Sequence, residues 1–275
     1  MEIPHWLWLL LGSIGALYLL SPLLFWFKFR ISTRPTIELI DPAALPEMIR
    51  TYFDQTAVGL QACGFQIECY MRIPDQTPNV IGIVALWSRR LAAQYATVVA
   101  KYYKSTAGPK RINKYLQYST VFADGFEVST NNSSGLPWFK RMPKKDALWA
   151  CGIENPVVLH RLHQSRENRL APPGAIRYLP RKTEDLTTSF AEGMAFNLQW
   201  QARGGYLRET SRDGVLSCTL QGACLMTWFQ LTPLRQIRSA LLKYRAEVEL
   251  RLAEIQPVAE VTDIRTTHVS PYRII

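Results

Sequence analysis

Residues 6–27 (WLWLLLGSIGALYLLSPLLFWF) form an apolar run with no charged side chain. A helix needs roughly 20 such residues to cross the hydrocarbon core of a bilayer. Trp6, Trp8, Trp26 and Phe27 bracket the run as an interfacial aromatic belt does, and Gly12, Gly15 and Pro22 are tolerated inside membrane helices. A signal peptide would carry a basic start, a shorter apolar run and a small-residue cleavage site. Residues 1–5 contain no Lys or Arg, and no such site follows. The run is expected to be a retained anchor. Lys28, Arg30 and Arg34 follow it, whereas only Glu2 and His5 precede it. The positive-inside rule then puts the N-terminus outside and everything after the helix in the cytoplasm.

Beyond a proline-broken stretch at 28–44, expected to be a juxtamembrane linker, the pattern changes period. Ile49, Phe53, Ala57 and Leu60 recur at helical spacing after Pro46 and stop at Gly64. Residues 65–73 alternate, with Phe65, Ile67, Cys69, Met71 and Ile73 assigned to one face and Gln66, Glu68, Tyr70 and Arg72 to the other. Further strands are predicted at 80–87, 94–104, 115–122 and 126–130, the last two joined through Asp124-Gly125 as a type I′ hairpin. Short connections predict antiparallel neighbours.

Helices follow at 155–169, at 183–202 with Thr183 as cap, and at the C-terminal end. There Leu234, Ile237, Leu241, Tyr244, Val248 and Ile255 share a stripe. Asp213-Gly214 marks a second hairpin. The uncharged run 214–234 is expected to be a helix buried under the sheet rather than a second span, since Pro233 and two glutamines interrupt it. The fold class is α+β: an antiparallel sheet of about five strands plus the second hairpin, with helices over one face. The soluble domain is assigned to 45–256 and a loose tail to 257–275.

Composition excludes disorder, collagen and a disulfide scaffold: 48% of residues are hydrophobic and 20% charged. The five cysteines are odd in number and suit a reducing compartment, as small core residues. Charge is unevenly placed. The chain carries 32 Lys and Arg against 22 Asp and Glu. Residues 76–123 contain no carboxylate, and Arg89, Arg90, Lys101, Lys104, Lys110, Arg111, Lys114, Lys140, Arg141, Lys144 and Lys145 face only Asp124 and Glu127. Tyr95, Tyr102, Tyr103, Tyr115 and Tyr118 lie among them. Next to a cytoplasmic leaflet such a surface attracts anionic lipid or an acidic protein. Single-stranded nucleic acid is a weaker alternative, and a merely solubilising surface is the plain one.

Walker A, G-x-G-x-x-G, G-x-S-x-G, H-E-x-x-H and C-x-x-C patterns are all absent, so no cofactor is predicted. His160, His163 and Glu167 share a helical face and are weak metal candidates on a segment otherwise read as a solvated basic face. Ser133 and Ser134, in the 131–138 loop, would need a histidine and a carboxylate to act as nucleophiles.

The runs 122–132 (FADGFEVSTNN) and 219–228 (TLQGACLMTW) resemble uncharacterised bacterial single-pass membrane-anchored proteins; that resemblance implies no activity. The expectation is a membrane-anchored interaction or scaffold module with an anion-binding basic surface. The alternatives are a lipid-handling domain with an apolar pocket between the sheet and the long C-terminal helix, lined in part by 220–234, and, third, an enzyme using the 131–138 loop.

Overall fold

The computed structural model describes residues 4–77, 79–103, 110–180 and 182–255. Lys104, residues 105–109 and the assigned tail lie outside the described residues. The chain opens with helix α1 (His5–Lys28), which is long and apolar enough to cross a membrane. Two short strands follow, β1 (Arg30–Ser32) and β2 (Glu38–Leu39), so the stretch read as a linker is built into both sheets. Then come α2 (Glu47–Ala62), β3 (Gln66–Thr77), β4 (Val80–Arg89), β5 (Gln94–Tyr103), β6 (Lys110–Phe122), β7 (Glu127–Asn131) and β8 (Lys145–Trp149). The second half holds α3 (Pro156–Leu170), β9 (Arg177–Tyr178), α4 (Thr183–Arg203), β10 (Leu207–Glu209), β11 (Val215–Cys218), α5 (Leu220–Trp228) and α6 (Leu234–Leu252).

The architecture is α+β. The larger sheet runs β2-β3-β4-β5-β6-β7-β8, with β9 beside the end of β6; the smaller runs β1-β11-β10. The sheet is mixed, not wholly antiparallel as expected. The connection from β7 to β8, residues 132–144, is long enough to carry the chain back, and the pair is parallel from Glu127↔Lys145 to Asn131↔Trp149. The second hairpin forms as expected, with Leu207 opposite Cys218, but it joins β1 instead of the main sheet.

Both faces of the main sheet are covered, where one was expected. Ile83, Ala85, Trp87, Val98, Leu116 and Tyr118 pack against Ile49, Phe53 and Leu60 of α2, Leu159 and Leu162 of α3, and Ala246 of α6. Met71, Val84, Leu86 and Val99 pack on the other side against Leu186, with Phe190 and Met194 of α4. The simple alternation read for β3 breaks at Glu68. Ile67 pairs Trp87 while Cys69 pairs Leu86, so Glu68 is an unpaired bulge and the faces exchange beyond it. Its carboxylate gathers Ser88, Arg90 at 2.6 Å and Thr183 at 2.6 Å. Thr183 is therefore spent on Glu68 and does not cap α4.

One turn also departs from expectation in an informative way. Gly125 has φ +82°, but Asp124 is not left-handed, so the loop is not type I′. Phe122 and Phe126 close it, Gly125 N–H donates to the Phe122 carbonyl, and Asp124 Oδ1 accepts from Phe126 N–H at 3.0 Å. This is a three-residue loop in which a turn is followed by a left-handed glycine. Asn155, by contrast, caps α3 through its side chain, with Pro156 in the first turn.

The C-terminal region differs most. The run 214–234 is neither a span nor a helix under the sheet: it divides into β11, α5 and a turn. Ala223 and Met226 of α5 join Phe29, Ile31, Leu198, Leu207, Leu216 and Cys218, with Phe25 and Trp26 of α1 alongside. The first part of the predicted C-terminal stripe points outward, with Ile237, Leu241 and Tyr244 54%, 63% and 67% exposed, whereas Val248 is half-buried and Ile255 joins the main core. The helix instead buries Ala246 and Glu249.

Candidate anion-binding site

The predicted cations separate into groups. Lys101 on β5 and Lys114 on β6 line a cleft of about 560 Å³ together with Thr51, Tyr52 and Gln55 of α2 and Tyr102 of β5. The register explains the meeting: Ala100 lies opposite Lys114 and Lys101 opposite Asn113. A register shift between Lys101 and Tyr102 sharpens the local twist. Lys114 Nζ stands 4.7 Å from the Tyr52 ring centroid, a cation–π contact. Lys110 and Arg111 pair with Tyr103 and Tyr102, so their backbones continue the same end of the sheet.

Four of the remaining cations are held by groups of the chain. Arg90 is held by Glu68 and Lys145 by Glu127 at 2.7 Å. Lys144 Nζ donates to the Asp124 carbonyl at 2.7 Å, and Arg141 pairs with Asp146. Arg89 lies beside the α2 C-terminus, near Gly64. Lys140 gives its carbonyl to Gln201. Of the predicted cations, Lys101 and Lys114 are the two that line this cleft. Of the tyrosines, Tyr118 is fully buried, and burial pushes its hydroxyl pKa up.

The α3 face read as solvated and basic is the buried one. His163 stands between the Thr120 hydroxyl (Nε2, 3.0 Å) and the Thr130 hydroxyl (Nδ1, 3.2 Å). His160 meets Gln94 Oε1 at 3.3 Å, and Gln94 Nε2 donates to Glu167 at 2.5 Å. Arg177 closes on the other Glu167 oxygen. Arg166, wholly buried, donates to the Ser129 carbonyl and the Thr130 hydroxyl, each at 2.6 Å, and to Asp146. Burial pushes the His160 pKa down to about 4, with Arg89 adding to it. Burial, Arg166 and His160 hold His163 well below its ordinary value. Burial also brings Arg166 down to about 10. Burial would raise Asp146, but Arg166, Arg245 and Arg141 outweigh it and lower its pKa. Both His163 nitrogens are engaged by hydroxyls, and among the described residues no group of three His, Cys, Asp or Glu is arranged to hold a metal.

In the 131–138 loop, Ser133 Oγ accepts from Asn113 at 3.1 Å and from the Gly135 N–H at 3.2 Å. His160 and His163 are engaged by Gln94, Thr120 and Thr130. Sequence reasoning missed Thr51, Tyr52 and Gln55, although their spacing places them on one helical face. It also missed Gln94 and Asp146, whose partners lie far along the chain.

No family model, curated protein or solved structure matches the chain.

Proposed function

We propose that the protein is a membrane-anchored binding module: α1 holds the domain at a cytoplasmic leaflet and the Lys101–Lys114 cleft takes an anionic group, from lipid or an acidic partner. The observation that carries this reading is the meeting of two cations with Tyr52, Tyr102, Thr51 and Gln55 in one open cleft. Ammonium groups supply charge, and the hydroxyls and the amide supply directed hydrogen bonds. Arg90, Arg141, Lys144 and Lys145 hold carboxylates or carbonyls of the chain, which supports recognition at the cleft over recognition by those four. A lipid-handling role receives less support: between the sheet and α6, Ala246 packs with Ile83, Leu116 and Leu148 in the core, and α5, from the stretch expected to line the pocket, packs with Phe29, Ile31 and Leu216 instead.

The test titrates the detergent-solubilised full chain with short-chain phosphatidylglycerol, polyglutamate and short-chain phosphatidylcholine. The anionic ligands bind and the neutral one does not. Lys101→Gln with Lys114→Gln costs about 1 kcal/mol per cation near an anionic surface, roughly thirtyfold in affinity together. Equal binding of phosphatidylcholine rejects the electrostatic reading.

A further inference from the structure

The exposed stripe of α6 begins where the chain is tied to α1. The Tyr18 hydroxyl donates to the Thr232 carbonyl at 2.6 Å, and the Trp228 indole N–H donates to the Tyr18 carbonyl at 2.8 Å. Two residues after Thr232 the stripe starts with Leu234 and continues through Ile237, Leu241 and Tyr244, all exposed. Within α6 these positions repeat every three or four residues, so they form one ridge. Beside it an open groove of about 710 Å³ is lined by Thr232, Arg235, Gln236, Ser239, Ala240 and Lys243. An apolar ridge flanked by cations and hydroxyls is the pattern of a helix lying in a membrane interface.

The position along α1 gives the depth. A span of about 20 residues starting at His5 ends near Leu24. Tyr18 is six positions short of that end, about 9 Å along a helix axis. Interfacial helices sit about 5–10 Å into the boundary between headgroups and acyl chains, so the elbow between α5 and α6 lies at the level such a helix occupies. The last turns of α1 carry the domain on one side, through Phe25, Trp26 and Phe29.

We propose that the α5–α6 elbow is a membrane seat: Leu234, Ile237 and Leu241 enter the inner leaflet, and Arg235 and Lys243 face phospholipid phosphates. This rests on reading α1 as the anchor. The bilayer is favoured over a second copy of the chain because the ridge is joined to the anchor and has cations at its flank.

The test uses the full chain in vesicles of phosphatidylcholine and phosphatidylglycerol. A fluorescent amino acid replaces Leu241, Leu17 or Gln61, one at a time; these side chains are exposed, so the fold tolerates the change. Quenching by lipids carrying a shallow nitroxide is compared with quenching by aqueous iodide. The seat predicts that Leu241 follows Leu17, quenched by lipid and shielded from iodide, while Gln61 shows the reverse. Iodide quenching at Leu241 with lipid quenching at Leu17 overturns the seat and leaves the anchor. Shielding of Leu241 from both quenchers means that protein covers the ridge, and overturns the seat too. Iodide quenching at Leu17 overturns the anchor itself.

Discussion

Trp228 Nε1 donates a 2.8 Å hydrogen bond to the backbone carbonyl of Tyr18, a residue 210 positions earlier. Inside a helix that carbonyl would accept from the N–H four residues on. The residue there is Pro22, which has no N–H. The indole supplies the missing donor, and the proline inside the apolar helix fixes where α5 docks. Within a bilayer, an unpaired carbonyl there would have no water to turn to.

The pair makes a double-mutant test. Trp228→Phe keeps the ring but removes the donor, and should destabilise the protein by about 1–3 kcal/mol, the cost of an unsatisfied buried polar group. Pro22→Ala restores the internal donor, so Trp228→Phe should cost clearly less in that background. Thermal unfolding of the four proteins in detergent measures the coupling. Additive losses would show that the indole bond does not compensate for Pro22.

Gly125 should resist replacement although the turn is not the one expected. Its φ of +82° is unfavourable for a β-branched side chain. Gly125→Val should cost about 1–3 kcal/mol for strained backbone. Asp124→Ala loses only the exposed bond to the Phe126 N–H and should cost less. Unfolding midpoints of the two variants give the order; a larger loss at Asp124 would contradict this loop geometry.

Local signals in the sequence were readable where one short segment determines the outcome. Asn155 and Pro156 start α3, and Gly64, with φ +80°, ends α2. Asp213-Gly214 joins β10 to β11. What the pattern could not carry was partnership across the chain. The β1 residues Arg30–Ser32 are too few to show alternation, and their partner, Val215–Ser217, lies far away. One bulged residue, Glu68, reversed the faces of β3, as any single-residue register shift must. The α6 stripe was legible as a stripe but not the side it takes: Ile237, Leu241 and Tyr244 are exposed, Arg245 and Glu249 take the inner side to meet Asp146, Arg166 and Arg169, and Ile255 joins the core. Of the candidate site, Lys101 and Lys114 were legible as cations. Their meeting with Tyr52 depends on how α2 crosses the sheet.

Acid should destabilise the domain through α3. Both buried histidines have folded pKa values below their unfolded ones, so between those values the unfolded chain binds more protons. Stability is retained at neutral pH and falls as pH drops below about 6.5. The carboxylate pairs of Asp146 and Glu68, whose pKa values are lowered, are lost further down in the same direction. At pH 5 His160 alone should contribute a loss of about 2 kcal/mol relative to neutral pH. Melting temperature against pH should show the decline, and His160→Gln should flatten it between about pH 6.5 and 5. A wild-type profile flat across that range would contradict the buried, neutral histidines.

Orientation can be read without changing the chain. Cys151 is exposed and Cys218 buried. In intact cells an impermeant maleimide should leave Cys151 unlabelled if the domain is cytoplasmic, and should label it after permeabilisation; Cys151→Ser serves as the control. Ser133 is buried and makes a poorer probe position. Labelling of Cys151 before permeabilisation would reverse the topology.

The anchor and the cleft together predict which molecules leave the membrane with the protein. Native mass spectrometry of the full chain, released from its own membrane in mild detergent, measures this directly. The expected result is enrichment of anionic over neutral phospholipid, or an acidic protein retained in its place. Lys101→Gln with Lys114→Gln should lower that retention. Neutral and anionic lipids held equally, with no acidic protein and no change in the double variant, would contradict the anion-binding cleft.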